Sequence, residues 1–195
     1  MKKIGTKWIV LLAMFLCSLA HAQFKLNPVT NNDLRNNLQK VIADFPNGLT
    51  AIRGDVIVEN PQSTEYTSTL KFDGAESNSI TRYAAAKPIY SWQATLLTTE
   101  EYETAAKKYK WLCGQLKVMT IKMGDGDSFS LSGAYDEPDE SKKFSTSTYR
   151  LMPAATNLPK LKVEATLQFE FPEWKVNLLV YQREREDNER GQIEE

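Results

Sequence analysis

The strongest constraint on the fold is an unbroken alternation of apolar and polar residues over positions 161–171. Such a period of two predicts a strand with one buried and one solvated face, as in an antiparallel sheet. Pro172 and Glu173 separate this segment from a second strand candidate at 174–182. The short connection predicts an antiparallel hairpin.

Further strand candidates alternate in the same way or are rich in β-branched and aromatic residues. They lie at 52–59, 66–72, 79–83, 89–97, 129–135 and 144–152. Each is about the length of a typical strand, and turn-forming residues separate several of them. The chain is therefore expected to contain a sheet of many strands.

Two segments have the apolar period of amphipathic helices. The first covers residues 31–45 and ends before Pro46, since proline disfavours helical geometry in the residue before it. The second begins near Thr98, which has capping-box spacing to Glu101. Gly114 lies within this helix and is expected to weaken it by up to about 1 kcal/mol relative to Ala, unless a strand packs close to it.

The order of these segments predicts an α+β domain in which two amphipathic helices pack on one face of a mainly antiparallel sheet. Each half, 31–97 and 98–183, reads as a helix followed by three or four strands. A duplicated αβββ(β) unit is one hypothesis, and a single irregular domain over 23–183 is the other. Residues 184–195 are nearly all charged or polar and are predicted to form a disordered or frayed tail.

Residues 1–22 have the pattern of a secretory signal peptide. Three lysines precede an apolar run at 8–19, and Ala20-His21-Ala22 is a small-residue cleavage site. The run is short for a membrane span, which needs about twenty apolar residues. We expect cleavage after Ala22 and a periplasmic or secreted protein without a later transmembrane span. An uncleaved anchor and a lipoprotein attached at Cys17 are the alternatives.

Cleavage would remove the only histidine, His21, and would leave Cys113 as the single cysteine. Histidine-dependent catalysis and histidine-ligated zinc are then excluded. Cys113 has no partner for an intrachain disulfide and is expected to be a small buried residue on the second helix. No phosphate-binding glycine motif is present. We therefore expect a non-enzymatic protein with no cofactor and no metal.

Two further observations limit the kinds of ligand. The chain has 24 basic and 25 acidic residues and lacks a basic patch, so nucleic acid is not expected as a partner. The glycine-rich acidic loop at 124–128 could offer oxygen ligands to Ca²⁺, but it fails the EF-hand pattern. A helix-to-strand turn explains the same residues.

The candidate residues for a partner surface are two tryptophans and three acids: Trp111, Trp174, Asp136, Glu137 and Asp139. Trp111 lies off the apolar stripe of its helix and Trp174 follows a hairpin turn, so both are predicted to be exposed binding anchors. Indoles that only cover the edge of the core are the alternative. The acids flank Pro138 in a predicted loop, which is either a contact for a cationic partner or a solvated loop tip.

The leading functional hypothesis is an exported binding or interaction domain that uses its sheet face or loops to bind a protein, peptide or glycan. One alternative is a carrier of a small apolar ligand held between helices and sheet. A carboxylate- or tyrosine-based enzyme is the other. The carrier hypothesis predicts a cavity lined by five apolar or aromatic residues: Tyr66, Leu70, Phe129, Leu131 and Phe144.

Overall fold

Nine antiparallel strands form one sheet in the computed structural model, which describes residues 31–72, 74–85, 88–124 and 126–182. The predicted signal peptide and the predicted tail lie outside these residues. The described helices and strands are α1 (Asn31–Asp44), β1 (Arg53–Asn60), β2 (Ser63–Ser68), β3 (Ser77–Tyr83), β4 (Ile89–Thr99), α2 (Tyr102–Lys117), β5 (Thr120–Lys122), β6 (Ser128–Ala134), β7 (Phe144–Met152), β8 (Leu161–Glu170) and β9 (Glu173–Gln182). Short 3₁₀ turns follow α1 at Phe45–Asn47 and precede β7 at Glu140–Lys142.

The strand order is β1-β2-β3-β4-β9-β8-β7-β6-β5. The α+β class and the antiparallel sheet predicted from the sequence are confirmed, and β8 and β9 form the expected hairpin. Strand β4 is the last strand of the first half, and β9 is the last strand of the second half. These two strands pair with each other in the interior of the sheet. A duplication would produce this arrangement, but the duplication itself stays a prediction.

One face of the sheet carries the hydrophobic core and is called here the covered face. A row of directly paired residues on this face crosses four strands, and all its members are buried: Trp92, Val180, Val163 and Tyr149. Helix α2 packs against it, since the Tyr109 hydroxyl lies 2.7 Å from Ser147 Oγ and the Tyr149 hydroxyl donates to the Cys113 carbonyl at 3.3 Å. Cys113 is buried on α2, as predicted.

Helix α1 lies beside the short edge strand β5. Its apolar stripe, Leu34, Leu38, Val41 and Ile42, is fully buried. The Lys122 amide of β5 donates to Gln39 Oε1 on α1 at 3.2 Å. That α1 packs on the same face of the sheet as α2 remains a prediction.

The structure corrects the sequence expectations at several element ends. Strand β2 stops at Ser68, and Leu70 and Phe72 pack in the core outside the strand, with the Phe72 ring 6.0 Å from the ring of Trp92. Strand β5 was not predicted. The predicted helix-to-strand turn is instead a connection between β5 and β6, in which the Met123 amide donates a hydrogen bond to the Asp127 carbonyl.

The start of α2 also differs from the predicted capping box. Strand β4 continues to Thr99, and Glu101 itself is the N-cap residue. The Glu101 amide donates to Thr99 Oγ1 at 3.2 Å, and the Thr104 hydroxyl donates to the Glu101 carboxylate at 2.9 Å. Thr98 therefore belongs to the strand and does not cap the helix.

Within the described ranges, no helix is long and apolar enough to cross a membrane.

Candidate functional site

The second face of the sheet carries mainly uncharged polar side chains and is called here the polar face. Its members alternate with the core residues along β4, β7, β8 and β9. In the central strands they are Ile89, Ser91, Gln93, Thr95, Phe144, Thr146, Thr148, Arg150, Met152, Lys162, Glu164, Thr166, Gln168, Lys175, Asn177, Leu179 and Tyr181. Hydroxyl and amide groups dominate this set, because the polar positions of these strands are rich in Ser, Thr, Asn and Gln.

One row of this face is a buried hydrogen-bonded ladder. Thr95 Oγ1 donates to Asn177 Oδ1 at 2.9 Å, and Asn177 Nδ2 donates to Thr166 Oγ1 at 3.4 Å. Asn177 and Thr166 are only 2% and 4% exposed. The ladder ties β4, β9 and β8 together and supports the neighbouring row, which is more accessible.

That neighbouring row places a carboxylate at the centre of the polar face. Leu179 and Thr148 pair directly with Glu164 on either side. Glu164 Oε2 accepts a 2.7 Å bond from the Tyr181 hydroxyl and a 3.1 Å bond from Thr148 Oγ1. Glu164 is half-buried, and no side-chain cation lies within 4 Å of it in the part of the chain that the structure describes.

An aromatic ring and a cation flank this carboxylate. Lys162 Nζ lies 5.8 Å from the centre of the Tyr181 ring, a separation at which cation–π attraction operates. Leu179 lies between Gln93 and Glu164 in this row, and Gln93 is half-buried. The group formed by Gln93, Thr148, Lys162, Glu164 and Tyr181 is the candidate site, and it combines hydrogen-bond donors, acceptors and one aromatic face.

The predicted anchor Trp174 is not exposed. Its side chain is 5% exposed and packs with the rings of Tyr102 and Phe169, whose centres lie 5.0 and 5.1 Å away. Strand β9 begins at Glu173, so the alternation turns Trp174 to the covered face with Val176. The expectation of an exposed indole here was wrong, and the residue instead closes the core at its edge.

Trp111 is half-buried on α2, with Lys108 Nζ 4.6 Å from the centre of its ring. Burial lowers the pKa of the Lys108 ammonium, because a partly desolvated charge is less stable than one in water. Trp111 thus lies in the helical layer, away from the polar face. Its role as a binding anchor stays a prediction.

The acidic loop packs against α2 and uses its carboxylates within the chain. Asp136 Oδ2 accepts from the Thr146 amide at 3.2 Å, and the Asp136 carbonyl accepts from the Tyr109 hydroxyl at 3.1 Å. Glu137 forms an ion pair with Lys110, and this hydrogen bond holds the pKa of the Glu137 carboxyl below its usual value.

Asp139 closes the same loop. Its Oδ1 accepts from the Ser141 hydroxyl at 2.8 Å and from the Ser141 amide at 2.9 Å, and these bonds lower the pKa of its carboxyl. All three predicted acids therefore have structural partners in the chain. Their role as a contact for a cationic partner stays a prediction.

A cleft of about 620 Å³ lies between the end of α1, the β5–β6 turn and the connection from β7 to β8. Its lining mixes apolar and polar groups: Ala43, Met123, Gly124, Asp127, Ser128, Phe129, Pro153, Ala154, Ala155, Thr156 and Asn157. Of the five residues that the carrier hypothesis places around a cavity, this cleft contacts only Phe129. Leu70 and Leu131 are buried in the core, whereas Phe144 is exposed.

The described residues include no group of three or more His, Cys, Asp or Glu side chains placed to hold a metal ion. Models of protein families, curated proteins and solved structures each gave no match to this chain.

Proposed function

We propose that this chain is an exported, non-enzymatic binding domain whose polar face binds a neutral glycan. The observation that carries the proposal is the half-buried carboxylate of Glu164, which accepts hydrogen bonds from two hydroxyls and forms no ion pair within the described residues. A carboxylate in such a setting accepts strong hydrogen bonds from hydroxyl donors. Sugar hydroxyls are donors of this kind.

The composition of the polar face favours a glycan over a protein as the ligand. Protein interfaces have a core enriched in aromatic residues, Met and Arg. Around Glu164 and Tyr181 the polar face is instead built mainly from Thr, Ser, Asn and Gln, with Leu179 beside them and the exposed Ile89, Phe144 and Met152 near the strand ends. Such groups both donate and accept hydrogen bonds, as sugar hydroxyls do.

The carboxylate at the centre of the face favours a neutral ligand over an acidic one. Glu164 would repel a carboxylated or sulfated sugar placed against it. Lys162 lies over Tyr181 and outside the 4 Å range of an ion pair with Glu164. The aromatic ring of Tyr181 offers apolar contact area beside the polar groups, a combination typical of small-molecule sites.

Two observations count against the enzyme alternative. Burial raises the pKa values of the Tyr109 and Tyr149 hydroxyls, so both phenols stay protonated and are poor bases. The buried acid Asp44 accepts a 2.8 Å bond from the Ala51 amide and stabilises the turn after α1. Neither arrangement resembles an acid–base pair facing a substrate.

Binding to a glycan array of neutral and acidic oligosaccharides tests the proposal. We expect the chain to bind neutral oligosaccharides and Glu164→Ala to weaken binding by about tenfold or more, because a hydrogen bond to a charged group contributes roughly 1.5–3 kcal/mol. Trp111→Ala is the matched control, since it removes a half-buried side chain from the helical layer. Equal binding by Glu164→Ala and the parent chain would contradict the proposal, as would binding lost only in Trp111→Ala.

Export rests on the charge and hydropathy pattern of residues 1–22. Mass spectrometry of the chain recovered from its host tests it separately. We expect a chain that begins at Gln23. A chain that retains residues 1–22, or one that carries lipid on Cys17, would contradict the cleavage step without affecting glycan binding.

A further inference from the structure

The two edges of the sheet differ in length and in protection. At one edge, β5 has three residues, and α1 covers it through the hydrogen bond from the Lys122 amide to Gln39. At the other edge, β1 has eight residues, and no strand lies beyond it in the described parts of the chain. An unprotected edge presents backbone donors and acceptors to any strand that can pair with it.

The β1 edge is also apolar. Val56, Ile57 and Val58 are 55%, 51% and 43% exposed. Three consecutive exposed aliphatic residues point to both faces of the sheet, so neither face of this strand is buried within the chain. Exposed apolar strands of this kind are a recognised route to association between chains.

The pairing of β1 with β2 places Val56 and the residues three positions before and after it on one face of the sheet. Arg53, Val56 and Glu59 pair with Ser68, Tyr66 and Thr64 of β2, which lie on the covered face. Irregular pairing on both sides of Val56 lets residues three apart share this face. Arg53 and Glu59 therefore stand on the same face, at equal distances in sequence from Val56.

We propose that β1 pairs antiparallel with β1 of a second copy of this chain, with the two Val56 residues opposite each other at a two-fold axis. This register sets Arg53 of each copy opposite Glu59 of the other, giving two ion pairs of opposite charge across the strands. An axis at Ile57 would instead set Asp55 opposite Glu59, which like-charge repulsion disfavours. Charge complementarity thus selects a second copy in one register.

Arg53 has partners within the chain that the dimer would replace. Its guanidinium lies 5.0 Å from the centre of the Tyr66 ring on β2 and 5.7 Å from that of Tyr90 on β4. The side chain therefore has to turn from these rings toward the edge to pair with Glu59 of the second copy, and the ion pair replaces cation–π attraction. The dimer joins two sheets edge to edge and does not depend on glycan binding by the polar face.

Sedimentation velocity of the purified full chain across a range of concentrations tests the dimer. We expect a concentration-dependent monomer–dimer equilibrium for the parent chain. Arg53→Glu and Glu59→Arg should each raise the dissociation constant by about tenfold or more, because each single reversal replaces two attractive cross-strand pairs with two repulsive ones. The double reversal should restore the parent value to within about threefold.

The double reversal separates the intermolecular role of Arg53 from its contacts within the chain. It restores the ion pairs between copies but not the stacking of Arg53 on Tyr66. Lys122→Glu, a charge reversal at the β5 edge, is the matched control and should leave the dissociation constant unchanged.

Ile57→Lys changes an exposed residue and should give a monomer whose melting temperature equals that of the parent chain at concentrations where the parent is monomeric. A parent chain that is monomeric at every concentration would overturn the proposal. A double reversal that stays as weak as Arg53→Glu while Ile57→Lys remains dimeric would also overturn it.

Discussion

The hydroxyl of Tyr109 lies 2.7 Å from Ser147 Oγ and joins helix α2 to strand β7 inside the core. Ser147 Oγ also accepts a 3.0 Å bond from the Asp136 amide, so the same serine fixes the acidic loop. The ring of Tyr135 stacks on that of Tyr109 with centres 6.3 Å apart. This one contact therefore couples the helix, the sheet and the loop that follows β6.

The first prediction is a loss of stability at high pH that depends on Tyr109. Burial raises the pKa of its hydroxyl above the unfolded value of about 10. Below pH 10 the phenol is protonated in both states and the free energy of unfolding does not change. Above pH 10 the unfolded chain loses the proton first, so stability falls as pH rises.

Urea unfolding at pH 8, 10 and 11 measures how steeply the free energy of unfolding falls with pH. Tyr109→Phe should reduce the slope above pH 10, because it removes one of the groups with a raised pKa. It should also lower stability at pH 8 by about 1–3 kcal/mol, since Ser147 loses a hydrogen-bond partner in a buried position. A slope identical in the two chains would contradict this reading of the contact.

The second prediction concerns two glycines with opposite surroundings. A Cβ added at Gly114 in α2 would meet nothing within 4 Å, whereas one added at Gly133 in β6 would overlap the Thr148 carbonyl oxygen. Gly114→Ala should stabilise the chain by up to about 1 kcal/mol through helix propensity. Gly133→Ala should destabilise it, because the backbone of β7 would have to move.

Thermal melts of the two variants give the comparison directly. The melting temperature of Gly114→Ala should rise, and that of Gly133→Ala should fall below that of the parent. A lower melting temperature for Gly114→Ala would contradict the open space found around this position.

The third prediction separates the two tryptophans. Trp174→Ala should cost about 3–5 kcal/mol of stability, since it leaves a large cavity beside Tyr102 and Phe169. Trp111→Ala should cost much less, because its half-buried ring mainly contacts Lys108 and the edge of the core. Chemical denaturation of both variants measures the difference, and equal losses would contradict the assigned burial.

The sequence predicts a helix or strand correctly where the spacing of its apolar residues matches the set of side chains that the fold buries. The alternation at 161–171 predicted β8 because its odd positions from 161 to 169 face the core, although Phe171 lies after the strand and is 89% exposed. The stripe containing Tyr109 and Leu112 predicted α2 because its members are buried. The alternation at 66–72 is equally regular, but the strand predicted there was wrong beyond Ser68, where β2 ends. Leu70 and Phe72 are buried in a segment outside the strand, and burial produces the same pattern there.

The candidate site could be predicted only in part. The alternation turns Glu164 away from the core, which the sequence indicates. Its contacts with Thr148 and Tyr181 depend on the register of β7, β8 and β9, and single-sequence pattern carries no information on register between strands. Trp174 was misplaced for a related reason, because the position at which β9 begins decides which face the indole takes.

The central claim is that the polar face binds a neutral glycan, and the most direct test is a nuclear magnetic resonance titration of the ¹⁵N-labelled chain with a neutral oligosaccharide that binds in the array. The account predicts amide shift changes centred on Gln93, Thr148, Glu164 and Tyr181, and their loss in Glu164→Ala. Shift changes confined to α2 around Trp111, or to the cleft beside Phe129, would contradict it.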